Sequence, residues 1–178
     1  MSRVILDNMI NEGTTTAEAM TYFDSLEPVE TDFMFGEWQG DEIQTGFPME
    51  GLLTASNWYG KYFYAENDVH PLVFKKKNGQ IYQGNPQRIF LGNRVYTIPR
   101  KLVSFLFPLL YPWIKTNQSN ARLRQVTFRG KTSASMIYDQ LPIIDVFRKV
   151  DDQTVMGVMD IKGAPAEGHF FFVLYRQK

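Results

Sequence analysis

Residues Phe33 to Gly40 read FMFGEWQG, a run in which one tryptophan, Trp38, stands midway between Gly36 and Gly40. Successive side chains of an extended chain alternate between two faces. Met34, Gly36, Trp38 and Gly40 therefore share one face, and Glu37, Gln39 and Asp41 the other. This is a strand with one wet side, and the two glycines are expected to make room on its dry side for the large ring of Trp38. An indole so placed closes the inside of a curved sheet, and a small molecule held in such an interior is the first functional expectation.

Further along the chain the period-two pattern returns repeatedly. VTFRG, TSASMIY, PIIDVFRKV, TVMGVMDI and HFFFVLY, between residues 115 and 178, are five β-rich runs with short connectors, the signature of an up-and-down meander. Residues 71–74 and 81–82 flank Asn78-Gly79, a pair suited to the positive φ angles of a tight hairpin. RIFL and RVYTI, joined by Gly92-Asn93, suggest a second hairpin. With the strand at Trp38 the total is about eight to ten strands, enough to close a barrel and remove its exposed edges.

Three segments interrupt this pattern. Thr15 followed by Glu18 resembles a capping box for a helix over residues 14–26. Leu52, Ser56, Tyr59 and Phe63 recur at helical spacing, which predicts a helix over 50–63. The apolar run 100–114 predicts a third, broken by Pro108 and Pro112. It is apolar around most of its circumference, so it must be buried, cover a barrel mouth or rest on another apolar surface. A lid or core role is preferred, and a homodimer built on it is left open. The whole of 1–178 reads as one mainly β domain, an antiparallel up-and-down barrel with helical insertions.

Composition narrows the function classes. Nineteen basic and nineteen acidic residues cancel, so no net field favours nucleic acid or an anionic membrane. The chain has no cysteine, hence no disulfide framework and no thiolate nucleophile or metal ligand. Asp7, Asn8 and Asn11 interrupt the apolar core that a secretory signal would need. The run Leu102 to Ile114 falls well short of the roughly twenty residues that span a bilayer. A cytoplasmic protein without stable membrane insertion is expected.

In the closing meander Thr132, Ala134, Met136 and Tyr138 share a face, as do Leu141, Ile143, Asp145 and Phe147. Asp145 is the lone charge among apolar neighbours. Such a carboxylate must be paired, hydrogen bonded or protonated. Either it pairs with Arg129 or Arg148, or it orients a ligand or serves as a general base. Met136, Tyr138, Phe147 and Met159, with Trp38, are the candidate pocket residues. His70 is a second candidate acid or base, and neither it nor His169 stands at metal-ligand spacing, so no metal and no cofactor is expected.

G-x-W-x-G at residues 36–40, together with SMIYDQLPIIDVFRKVDDQTVMGVMDIKG and HFFFVLYR, resembles the bacterial and fungal GXWXG family, whose second half is a separately named domain of unknown function. The likeness covers most of residues 30–176, with a GXWXG-like segment at 30–80. A wider similarity is to lipocalin, fatty-acid-binding and nitrobindin-like (calycin) barrels. In lipocalins an arginine near the last strand packs across the tryptophan, which implies Arg176 against Trp38 here, with Gly36 and Gly40 structural. The family itself implies little about activity; the barrel interior leads to a bound hydrophobic ligand or, with Asp145 or His70 moving a proton, to an isomerase, cyclase or lyase acting on a hydrophobic metabolite, and the nitrobindin likeness alone implies haem.

Overall fold

The alternation that begins at Trp38 runs around a closed ring. The computed structural model describes residues 2–89, 97–164 and 168–178. Its strands, in chain order, are β1 (Gly36–Ile43), β2 (Trp58–Ala65), β3 (Asp68–Lys75), β4 (Ile81–Gln83), β5 (Ala121–Phe128), β6 (Lys131–Tyr138), β7 (Ile143–Asp151), β8 (Thr154–Ile161) and β9 (Phe170–Arg176). Hydrogen bonding follows the order β2-β1-β9-β8-β7-β6-β5-β3, and a β2–β3 pairing closes an eight-stranded barrel from which β4 extends beside β3. All pairings are antiparallel. Up-and-down order therefore survives the helical insertions, because β9 returns to pair with β1.

Two apolar layers result. Inside the ring, Trp38, Phe63, Phe147, Phe172, Met136 and Leu123 form one core, with Phe63 edge-on to Phe147 at 5.6 Å between centroids. Outside it, Val146, Val150, Met156, Val158, Phe171 and Val173 form a second core with Leu6, Ala19, Phe23 and Leu26. These last come from α1 (Ser2–Glu12) and from α2 (Thr16–Ser25) with its C-cap. Burial on both faces explains why β9 reads FFFVL rather than alternating. The capping box is formed, with Thr15 Oγ1 accepting from the Glu18 N–H and the Glu18 carboxylate accepting from the Thr15 N–H.

The expected helix over 50–63 is corrected. Only α3 (Leu52–Ala55) is helical; Asn57 adopts a φ of +57° and β2 begins at Trp58. The aromatic run WYGKYFY favours the pleated sheet over the helix that the spacing alone suggested. The hairpin of residues 71–82 is present, with the Lys76 N–H donating to the Gln80 carbonyl at 2.8 Å. The second proposed hairpin is not supported at its start, where Arg88 and Ile89 lie in α4 (Pro86–Ile89); its remainder at 90–96 lies outside the described residues. Residues 100–114 form α5 (Arg100–Leu106), a 3-10 turn (Phe107–Leu110) and α6 (Tyr111–Ile114), broken at the prolines.

The glycines of the opening motif act differently from expectation. A side chain on Gly40 would overlap the ring of Trp58, so Gly40 makes room for Trp58 rather than for Trp38. Gly36 has a φ of +120° and lies against the Arg176 guanidinium, a backbone conformation that side chains rarely adopt.

Candidate functional site

Trp38 and Arg176 plug one end of the barrel. They are directly opposed across β1 and β9, with the guanidinium carbon 4.3 Å from the indole centroid. Trp38 Nε1 donates to the Met34 carbonyl at 2.8 Å, and Arg176 donates to the carbonyls of Phe35 and Phe33. The indole N–H and both terminal nitrogens of the guanidinium thus find carbonyl acceptors, which suits a permanent closure.

The interior also contains a buried charge pair. Asp145 sits between Met136 on β6 and Met159 on β8. Its Oδ2 lies 2.8 Å from Lys61 Nζ, and the two residues are 0 % and 1 % exposed. Lys61 also donates to the Pro71 carbonyl at 3.2 Å and lies 3.5 Å from the Tyr138 hydroxyl. The rings of Phe172, Trp58 and Tyr138 surround the ammonium at 5.0, 5.6 and 5.7 Å from their centroids, a cation–π cage that lessens the cost of removing it from water. Burial pushes the Asp145 carboxyl above the usual carboxylate range, with Lys61 pulling in the opposite direction. Burial, reinforced by the Asp145 charge, pushes the Tyr138 phenol well up, so Tyr138 is a hydroxyl donor rather than a phenolate at neutral pH. Asp145 Oδ1 has no hydrogen-bond partner among the described residues.

Lys61 reaches the interior because β2 is irregular. Trp58, Lys61 and Phe63 all face inward, although Trp58 and Lys61 differ in parity. Register shifts on either side of Gly60 supply the extra residue, as a β-bulge does. Gly60 has a φ of +156°, and any side chain there would collide with the Trp38 carbonyl. The bulge redirects a lysine that strict alternation would send to solvent.

Directly above this pair lies a cavity of about 490 Å³ between the barrel mouth and the segment α5 to α6. Leu53, Leu72, Val103, Phe107 and Ile143 line it, with Tyr138 and Met159 among the wall residues. Ser56 and Arg88 are the other polar contributors. Residues of the α5–α6 segment form one side of this cavity, the position expected of a lid. A second groove of about 630 Å³ is lined by Gln39 to Glu42, Thr54, Asn57 to Tyr59 and Lys75 to Lys77; it includes none of the Lys61, Asp145 and Tyr138 group.

The predicted residues thus divide. Tyr138 and Met159 line the cavity, and Asp145 lies one pleat below Ile143 on the same face. Met136, Phe147 and Trp38 are packed in the inner core and do not line it. Asp145 pairs with neither expected arginine. Arg129 binds Asp24 at 2.6 Å, and Arg148, on the outer face, donates to the Phe128 and Lys131 carbonyls at 3.1 Å. His70 is opposed to Tyr62 rather than to the inward Phe63; its Nε2 is 3.3 Å from Asp68 Oδ1 and its ring packs on Tyr64. It is on the outer surface of the ring, away from Asp145. No histidine lines the cavity among the described residues, so the single-histidine ligation expected for haem has no donor there. Among the described residues no cluster of three His, Asp or Glu could hold a metal ion.

Sequence reasoning missed Lys61. The available signal was Gly60 inside an aromatic run, which marks a bulge in a strand.

Two family models match the chain: the GXWXG protein model over residues 21–79 and the domain of unknown function DUF4334 over residues 119–176. A crystal structure of a protein from Thermomonospora curvata is similar at 34% sequence identity and a TM-score of 0.72, with 99% of each chain covered. None of the curated proteins matches.

Proposed function

We propose, for a chain that belongs to the GXWXG protein family and carries its DUF4334 companion region, that the cavity under the lid binds a small, largely hydrophobic molecule. The observation that carries this reading is the 490 Å³ apolar cavity, within the roughly 300–1,000 Å³ typical of ligand sites. Tyr138 is one of its wall residues, and in this reading its hydroxyl orients a carbonyl or hydroxyl of the guest. Met159 supplies an adaptable contact, while Trp38, Met136 and Phe147 hold the wall behind it. No cofactor is required. The absence of cysteine suits a reducing compartment such as the cytoplasm.

The test is a titration with N-phenyl-1-naphthylamine, whose fluorescence rises in apolar surroundings. Saturable enhancement is expected for the natural protein. Val103→Trp, which fills the cavity from the lid side, should weaken it at least about tenfold while the fold persists. No saturable binding, or equal binding by both proteins, would refute the reading.

A second reading is favoured by the unpartnered, buried Asp145 Oδ1 beneath the cavity. Asp145, linked to the Tyr138 hydroxyl through Lys61 Nζ, which lies 2.8 Å from Asp145 Oδ2 and 3.5 Å from that hydroxyl, would move a proton during isomerisation, cyclisation or elimination of the same guest. Asp145→Asn would then abolish turnover of a bound molecule without abolishing its binding.

A further inference from the structure

The outer side of the lid is apolar as well as the inner. Phe105, Leu109 and Trp113 are 73%, 70% and 56% exposed. Leu102, Leu106, Leu110 and Trp113 are both exposed and part of the cavity wall, so one thin layer of side chains separates the guest from the outside. Such a patch needs an occupant.

The charge around it indicates which. Between Val69 and Tyr138 the chain contains twelve Lys and Arg and no Asp or Glu, although the whole chain is neutral. Several of these cations border the lid. Arg100 and Lys101 open α5. Lys76 Nζ lies 3.2 Å from the Tyr111 ring centroid, and Lys115 Nζ 5.9 Å from the same ring. Arg88 lies 6.0 Å from the Trp113 ring and donates to the Trp113 carbonyl. The hairpin residues Lys75 to Lys77 extend this border. Exposed Phe, Leu and Trp within a border of Lys and Arg is the pattern of a segment lying in the interface of a membrane. A second copy would bring two sets of cations face to face with no acid in this segment to offset them. Among the described residues no helix is long and apolar enough to cross a membrane, which agrees with a segment that lies on the surface.

We infer that the α5–α6 lid docks on an anionic phospholipid bilayer, so that the cavity exchanges its lipophilic guest directly with the acyl layer. Docking depends on the outer side chains, Phe105 and Leu109, which do not line the cavity. It goes beyond ligand binding and can fail separately from it.

The experiment is flotation of the full chain with vesicles of pure phosphatidylcholine, and with vesicles of about seven parts phosphatidylcholine to three of phosphatidylglycerol. Flotation with the anionic vesicles, a blue shift of Trp113 emission, and loss of both at high salt are expected. Phe105→Ser/Leu109→Ser should reduce the bound fraction at least about tenfold and leave N-phenyl-1-naphthylamine binding unchanged. Absence of flotation on either vesicle overturns the inference, as does equal flotation on both. A concentration-dependent dimer in sedimentation velocity that the double variant abolishes, without flotation, would assign the patch to a second copy and overturn it too.

Discussion

Removing Lys61 from the Lys61–Asp145 pair should make the stability of the protein fall as pH rises. The two are 2.8 Å apart and both sealed from water, where breaking a pair costs about 3–5 kcal/mol. At roughly 2.1 cal/mol/K of unfolding entropy per residue, this 178-residue chain should melt about 8–13 °C lower. Lys61→Met leaves a carboxyl that burial already raises, now without the ammonium that opposed the shift. The folded state then holds one proton more than the unfolded state above the ordinary carboxylate range. Its stability therefore falls by about 1.4 kcal/mol per pH unit as pH rises, until the folded group itself ionises. Asp145→Asn leaves the buried Lys61 ammonium without its carboxylate partner and should lose a similar amount of stability. The double variant Lys61→Met/Asp145→Leu removes both charges and should recover most of the loss or exceed the natural protein. Urea denaturation between pH 5 and pH 8 measures all three. A stability of Lys61→Met that does not change across this pH range would refute the argument, because it would mean that water reaches Asp145.

Two further expectations concern the framework. Trp38→Ala should destabilise by about 3–5 kcal/mol, the range for truncating a large core aromatic; a loss under about 0.5 kcal/mol in urea denaturation would mean that the ring is not the plug described. Gly40→Ala should cost about 1–3 kcal/mol through collision with Trp58. Adding Trp58→Phe should relieve part of that loss, and a purely additive double variant would exclude the contact.

Much of the barrel was legible because its signals are local. Alternation in β6 and β7 put Ala134, Met136 and Tyr138 on one side and Ile143, Asp145 and Phe147 on another, and these residues do face the interior. Closure was legible from strand number, and the lid from an apolar run with two prolines. The site was legible only by half. Asp145 was detectable as a charge among apolar residues, but its partner was hidden, since Lys61 faces inward only through the bulge at Gly60, and helical spacing obscured β2 altogether. The choice between Lys61 and the nearer arginines depends on which strands meet across the ring. His70 shows the converse error, a residue chosen for its chemistry whose parity against Phe63 turns it outward.

The ring is not equally strong at every joint. β5 pairs with β6 over its whole length, whereas β3 meets β5 through the single residue pair Val69 and Ala121, reinforced by the Ser119 hydroxyl bonded to both the N–H and the carbonyl of Val69. Beyond that point β3 turns to β4, and the bridge of Gly84 to Lys115 joins the end of the lid to the divided wall. A hoop with one short clasp is weakest at the clasp, and the end of the α5–α6 segment is tied to the chain just beyond the strand pair β3–β4 that leaves it.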